Sequence, residues 1–485
     1  MLAFIALCLL LLIGHSLRTR LRALRWLYLP ACVIGGLVGL AAVQALAAVH
    51  AAAGAAPGPW ASAVAAAHEA VEQWTAAWAV LPGLLINVVF ACLFLGVKLP
   101  RFGEVVLRSG LQLAYGQIVA WGQYVVGVGL VLAVLGAAFG LPAMFGGVLP
   151  VGFEGGHGTA AGMGPTFEKL GWPEGRDYGL ASATAGIVSA IVVGMALVNL
   201  AARRGWTVRR ISPADVPADE TVGVIPVDRR PSAGRLTVNS DVIESFTLHL
   251  ALVGVAILIG YLAKQAVAQL DRLDPWLADK KLFASIPLFP LCMLGGLLVQ
   301  VWEQRFDRHK LIDLGLVRRI QNASLDFLVA AAIATISLKV VAAGLVPLLI
   351  LAAAGIAWNV FCVLVLARRL LPDAWFERSI AEMGQSMGVT ATGLLLLRVV
   401  DSDYETPAAD AFACKQLLHE PIMGGGLWTS MAIPLLAAWG GLPVLLIAGG
   451  AVTAWLAVLL VARAMRVRGG AAGTVPGARR EPVGD

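Results

Sequence analysis

The chain has 485 residues, 59% of them hydrophobic and only 14% charged, with 54 glycines and a mean hydropathy of +0.81. Soluble globular proteins carry about 25% charged residues, so a soluble protein of about three domains is excluded. The net charge of +6 is spread over short arginine-bearing loops and not gathered on one basic face, which argues against nucleic-acid binding.

Apolar runs of about 20 residues recur along the chain, each long enough to cross a hydrocarbon core of ~30 Å as a helix. Backbone groups in lipid must be satisfied internally, which leaves helices or closed barrels. The runs are unbroken and lack the alternation of barrel strands. The sequence therefore predicts an all-α polytopic membrane protein. The six cysteines, Cys8, Cys32, Cys92, Cys292, Cys362 and Cys414, sit in or beside these runs without a CxxC pair, as small buried hydrophobes.

Residues 1–14 are the first run. Arg18, Arg20, Arg22 and Arg25 follow it instead of preceding it, and there is no small-residue cleavage site, so it reads as a spanning helix and not a secretion signal. Basic short loops mark the cytoplasmic side, which sets the N-terminus outside. A second helix starts near Trp26. Residues 51–74, with Pro57, Pro59, Glu69 and Glu72 but no Lys or Arg, read as an outside segment. Helices over 76–97, 111–139 and 178–200 complete a first half, 1–200. Residues 201–240 are polar and proline-rich and form a cytoplasmic linker. Helices near 242–263, 283–302, 322–342, 344–367 and within 407–439 make a second half, 241–440. In the helix over 322–342, Asp326 and Lys339 fall near opposite ends, where Lys can snorkel. An additional helix over 441–465 and a basic cytoplasmic tail, 466–485, end the chain.

Five helices before the linker turn the second half upside down relative to the first. Leu29-Pro30-Ala31-Cys32-Val33-Ile34-Gly35-Gly36-Leu37 matches Phe289-Pro290-Leu291-Cys292-Met293-Leu294-Gly295-Gly296-Leu297 in proline, cysteine and paired glycines. Such inverted repeats typify secondary transporters.

Two segments are apolar but too glycine-rich to cross as plain helices. One lies within a re-entrant hairpin expected near 150–166 and contains Glu154, Gly155, Gly156, His157, Gly158 and Thr159. The other, near 380–397, contains Glu382, Gly384, Gln385, Ser386, Gly388, Thr390 and Thr392. Glycine lets backbone amides and carbonyls approach a ligand, and broken-helix ends offer partial charges. Paired breaks in two halves point to a transport site.

Gly155-Gly156-His157-Gly158-Thr159-Ala160-Ala161, with Ala181-Ser182-Ala183-Thr184-Ala185-Gly186 on the next helix, resembles the first signature region of the bacterial sodium/glutamate symporter family. The element at 29–37 is also similar to that family, Gly384 to Thr392 stand where it has a second glycine-rich loop, and Pro421-Ile422-Met423-Gly424 resembles its last helix. The resemblance extends over about residues 1–440, more specific in the first half. It implies a sodium-coupled symporter of glutamate or a related small carboxylate or amino acid, working by alternating access. It also implies a homodimer in the plasma (inner) membrane, with sodium as coupling ion and no other cofactor. Substrate would meet Gly155, Gly156, His157, Gly158, Thr159, Gly384, Gln385, Ser386, Gly388, Thr390 and Thr392.

The chain departs from the family where Gln385 replaces a histidine, where a proline of the second loop is missing, and where Glu154 and Glu382 replace small residues. A charge within a bilayer costs ~2.5–3.5 kcal/mol or more on insertion scales. The two glutamates read as sodium ligands together with Ser182 and Thr184, as proton carriers, as partners of a cationic substrate group, or as solvated residues at the membrane boundary. His157 reads as a hydrogen-bonding residue and not a metal ligand. Lys415 and His419 share a helical face at i,i+4 beside Glu420 and Asp410, either lining the path or forming an interfacial helix. No enzymatic motif is present: no GxSxG, HExxH or P-loop. Two other functions stand beside the symporter: the same fold carrying a neutral or cationic molecule, with protons as driving ion, and a membrane scaffold or sensor with a partner-recruiting tail.

Overall fold

The computed structural model describes residues 1–472, apart from 28, 56–57, 59, 100–101, 209–223, 226, 228–229, 281 and 402–404. Pro57 and Pro59, residues 209–223, 226 and 228–229 of the expected linker, and residues 473–485 of the basic tail lie outside the described residues. Among those described there are helices and no strands.

We number sixteen principal helices. They are α1 (Leu2–Arg20), α2 (Ala31–Ala55), α3 (Ala61–Ala91), α4 (Phe102–Leu130, continued by a π-turn, Val131–Leu135), α5 (Met144–Phe153), α6 (Gly156–Gly162), α7 (Glu174–Arg204) and α8 (Ser245–Ala268). The rest are α9 (Phe289–Phe306), α10 (Leu314–Ala334), α11 (Leu345–Phe361, continued by a π-turn, Cys362–Ala367), α12 (Trp375–Met387), α13 (Thr390–Val400), α14 (Ala408–His419), α15 (Leu427–Trp439) and α16 (Gly441–Ala472). Among the described residues, eight helices are long and apolar enough to cross a membrane unaided: α1, α2, α3, α4, α7, α8, α11 and α16. The protein is a multi-pass membrane protein.

Several expected boundaries move. The outside segment expected at 51–74 is largely helical, because its alanines are strong helix formers and α3 begins at Ala61. The helix expected over 322–342 ends at Ala334, and Ser337 caps a separate short helix, Leu338–Ala343, so Asp326 and Lys339 do not share a helix. The helix expected within 407–439 is two, α14 and α15, separated where Gly424 and Gly425 take positive φ.

Glycines set the closest approaches. A side chain at Gly35 would collide with the Leu10 carbonyl of α1, and one at Gly295 with the Ala256 carbonyl of α8. The second glycine of each pair reaches across: Gly36 lies on Ala330 and Ile333 of α10, and Gly296 on the Ala91 carbonyl of α3. The sequence match thus has a packing counterpart, with the first Gly-Gly element seated on α10 and the second on α3. Both fourth helices, α4 and α11, carry a π-turn, a feature frequent at functional sites.

The helices form two groups. In one, α1 packs on α2, α2 and α3 on α10, α3 on α9, and α9 on α8. In the other, α4 packs on α5, α11, α14 and α16, and α7 on α5, α6 and α12. The short α6 touches α3 and α10 of the first group as well as α7 of the second. It lies at the seam.

Candidate functional site

Both breaks expected from glycine content are present. The first separates α5 from α6 at Glu154–Gly155, with Gly156 at a φ of 67° that disfavours any side chain. The second separates α12 from α13 at Gly388–Val389. Gly384 and Gly393 place the backbones of α12 and α13 side by side: a Cβ on Gly384 would sit 2.7 Å from the Gly393 Cα. The two breaks meet, since a Cβ on Gly156 would lie 3.1 Å from Val389 Cγ1 and 3.4 Å from the Gly388 carbonyl oxygen.

Beneath that meeting point lies a buried polar chain. Glu154 is 4% exposed and Glu382, Lys415 and His419 are fully buried, so neither glutamate is a solvated boundary residue. Lys415 Nζ donates to Glu382 Oε1 at 2.5 Å and to Gln385 Oε1 at 3.1 Å. Gln385 Nε2 in turn donates to Glu154 Oε1 at 2.7 Å, and His419 Nε2 meets the same oxygen at 2.6 Å. Gln112 Nε2 of α4 donates to Glu382 Oε2 at 2.9 Å. Two glutamates from matching breaks are therefore joined through Gln385 and two residues of α14. Gly116 makes room, because a Cβ there would sit 2.5 Å from Glu382 Oε1 and 2.7 Å from Lys415 Cε.

Glu382, expected as a sodium ligand, has both carboxylate oxygens engaged, Oε1 by the Lys415 ammonium and Oε2 by the Gln112 amide. Thr184 is also engaged: it donates to the Leu180 carbonyl at 3.0 Å and meets His157 Nε2 at 3.0 Å. That contact gives His157 the hydrogen-bonding role expected of it. Ser182 and Thr159 are buried, and their hydroxyls make no hydrogen bond among the described residues. Ser386 is held by Gln123, whose Nε2 donates to its carbonyl at 2.6 Å, and by Asn359, which accepts from its hydroxyl at 2.7 Å. Thr390 donates to Glu420 Oε1 and accepts from Gln416 Nε2, each at 2.7 Å. Gly388 lies beside Thr392, a Cβ on the glycine falling 2.9 Å from Thr392 Oγ1.

The α4 amides were not singled out in the sequence. Gln112, Gln117 and Gln123 lie in an apolar helix, and each reaches across to a break or to α14. The available signal was their polarity, since amides buried in apolar helices need partners. No group of three or more His, Cys, Asp or Glu suited to a metal occurs among the described residues.

The fold is a multi-pass helical bundle in which two broken helices meet beside buried charge, and broken helices of this kind occur in membrane carriers. The sodium/glutamate symporter family model matches residues 61–406, well over half of the chain, and the chain belongs to that family. It is a transporter. Glu154 and Glu382 fall within the matched span, whereas Lys415, His419 and the elements at 29–37 and 421–424 lie outside it. No curated protein and no solved structure matches the chain.

Proposed function

We propose that this protein is a secondary active transporter that couples sodium entry to symport of glutamate or a related small carboxylate or amino acid by alternating access. The observation that carries the reading is the meeting of Gly156 with Gly388 and Val389 at the seam of two helix groups, within a chain of the sodium/glutamate symporter family. The group holding α5, α7 and α12 moves against the group holding α3 and α10, with α6 at the seam between them.

The substrate lies at the meeting point, against Gly155, Gly156, Gly158 and Thr159 on one side and Gly388, Thr390 and Thr392 on the other. The start of α13 has no side-chain cap, so its free amides suit a substrate carboxylate. Gly384, Gln385 and Ser386 support the site from behind, and His157 holds α6 to α7. The reading includes two inverted halves with both breaks entering the membrane as re-entrant hairpins, in line with the reciprocal Gly-Gly packing. It also includes a homodimer in the plasma membrane, with the N-terminus outside and the C-terminus in the cytoplasm.

The test is uptake of labelled L-glutamate into proteoliposomes under an inward sodium gradient, with a potassium-only control. Sodium-dependent accumulation is expected. Absence of accumulation in vesicles that orient and retain the protein overturns the substrate assignment, and the same vesicles then read neutral and cationic amino acids.

A further inference from the structure

We propose that Glu154, through its second carboxylate oxygen, seats the single coupling cation of this centre, and that Lys415 is a tethered cation permanently filling the matching seat at Glu382. The inference rests on the transporter reading above and assigns its ion site.

The argument begins with hydrogen-bond direction. An indole N–H can only donate. Trp121 Nε1 donates to Gln117 Oε1 at 2.9 Å, which turns Gln117 Nε2 toward His419 Nδ1 at 3.3 Å. That ring nitrogen therefore accepts, and His419 carries its proton on Nε2, where it faces Glu154 Oε1. His419 in this tautomer is neutral. An ammonium likewise only donates, so Lys415 fixes Gln385 Oε1 as acceptor and leaves Gln385 Nε2 to donate to Glu154 Oε1.

The charges can now be counted. Two carboxylates face one ammonium, and Lys415 stands directly on Glu382 with both buried. One negative charge is left over, and it belongs to Glu154. Its Oε1 receives two N–H groups, while its Oε2 is buried without a partner. An uncompensated buried charge is strongly unfavourable, and an unpartnered anionic oxygen is the place for a monovalent cation. A cation on Oε2 balances the charge and leaves every hydrogen bond of Oε1 in place.

Other groups around the pair do not supply that cation. From α4, the Tyr124 phenol is within electrostatic reach of Glu154, and Tyr115 within reach of Glu382. From the π-turn after α11, Cys362 stands near Glu382. Glu420, next to His419, is bonded to Thr390 and Gln416, and His157 to Thr184. The pair Glu154 and Glu382 thus looks symmetric in sequence and is asymmetric in function: one seat is closed by the chain itself, the other is open.

Thermal stability of the purified full-length protein in detergent tests this without any transported substrate. Stability is compared in sodium chloride against choline chloride at fixed pH, and across pH in choline chloride. The wild type is expected to gain stability from sodium, or from acid if the cation is a proton, and Glu154→Gln to lose that gain. Gln at 154 keeps an oxygen for His419 and Gln385, which favours folding. Lys415→Met is expected to gain an additional sodium response that E382Q/K415M lacks, and the double variant serves as the folded control for the single one. Unchanged cation responses in Glu154→Gln overturn the open seat. Equal responses of Lys415→Met and E382Q/K415M overturn the tethered cation. Failure of glutamate uptake with these stability responses intact overturns the substrate and not the ion site.

Discussion

The Lys415–Glu382 pair gives the sharpest stability prediction. The two groups are 2.5 Å apart and have no exposed surface. At that separation and an effective dielectric constant of about 20, the Coulomb attraction is about 7 kcal/mol. Removing two ions from water takes back most of that sum, so the pair adds little net stability over an apolar pair of the same shape. Deleting one partner has a different effect, because it leaves the other charge buried alone. Lys415→Met in sodium-free buffer should therefore cost about 3–5 kcal/mol. Glu382→Gln should cost a similar amount, offset in part because Gln112 and Lys415 can still donate to the oxygen of the new amide. The double variant E382Q/K415M should recover to within about 1–2 kcal/mol of the wild type, a large coupling between residues in contact. Reversible unfolding in mixed micelles, titrated with SDS and followed by tryptophan fluorescence, measures all four proteins. Single variants that lose less than ~1 kcal/mol, or a double variant as unstable as the singles added together, would refute the buried ion pair and the charge count built on it.

Gly156→Ala places a side chain at a φ of 67°, 3.1 Å from Val389 Cγ1. It should cost about 1–2 kcal/mol in backbone strain and abolish uptake by parting the two breaks, with folding checked by gel filtration. Gly35→Ala and Gly295→Ala should each destabilise the helix group they belong to by about 1–3 kcal/mol or more, since each new Cβ meets a neighbouring carbonyl; similar losses from the two sites would support the reciprocal packing. In the loop after α9, burial raises the Asp307 carboxyl, but hydrogen bonds from the Leu311, His309 and Lys310 amides outweigh it and hold the group below the ordinary aspartate value of 3.8. Its contribution is thus fully present above that value and is lost as pH falls through the lower folded value. Loop amide exchange should be unaffected by Asp307 titration between pH 5 and 8, once the intrinsic pH dependence is removed, and Asp307→Asn should speed exchange at His309 and Leu311.

What could be read from the sequence was what acts locally. Apolar runs gave the helices because a lipid-exposed backbone has few choices, and the breaks announced themselves through glycines such as Gly156 and Gly388. Boundaries slipped where propensity competes with polarity, as at Ala61, where alanines extend α3 into a segment carrying Glu69 and Glu72. The buried network was illegible for another reason. Lys415 and His419 could be seen to share a face, but their partners lie 33 and 265 positions away, and no local pattern encodes such a pairing. Gln112, Gln117 and Gln123 were passed over because an amide in an apolar helix marks a need for a partner without saying which.

The position of α14 relative to the family match explains how this chain tolerates its two departures. Both glutamates lie inside the matched span, 61–406, and both of their α14 partners lie beyond it. A glutamate introduced alone at either break would leave a bare charge in the bundle, at a cost of several kcal/mol. Lys415 offsets one such charge in full, and His419, neutral and donating, offsets the other only in part. One turn of helix separates the two residues, so a single element addresses both breaks at once. If α14 shifts along its axis during the cycle, it must change both contacts together, which would tie the occupancy of the Glu154 seat to the state of the α12–α13 break. Crosslinking α14 to α4 between Gln117→Cys and Cys414 would be a poor trap, because Gln117 holds the tautomer of His419. A cysteine pair on the packed surfaces of α4 and α14, placed at positions other than Gln112, Gln117, Lys415 and His419, should instead arrest transport if α14 moves and leave it intact if α14 is fixed. Arrest that a reductant reverses supports coupled motion; unchanged uptake in the fully crosslinked protein refutes it.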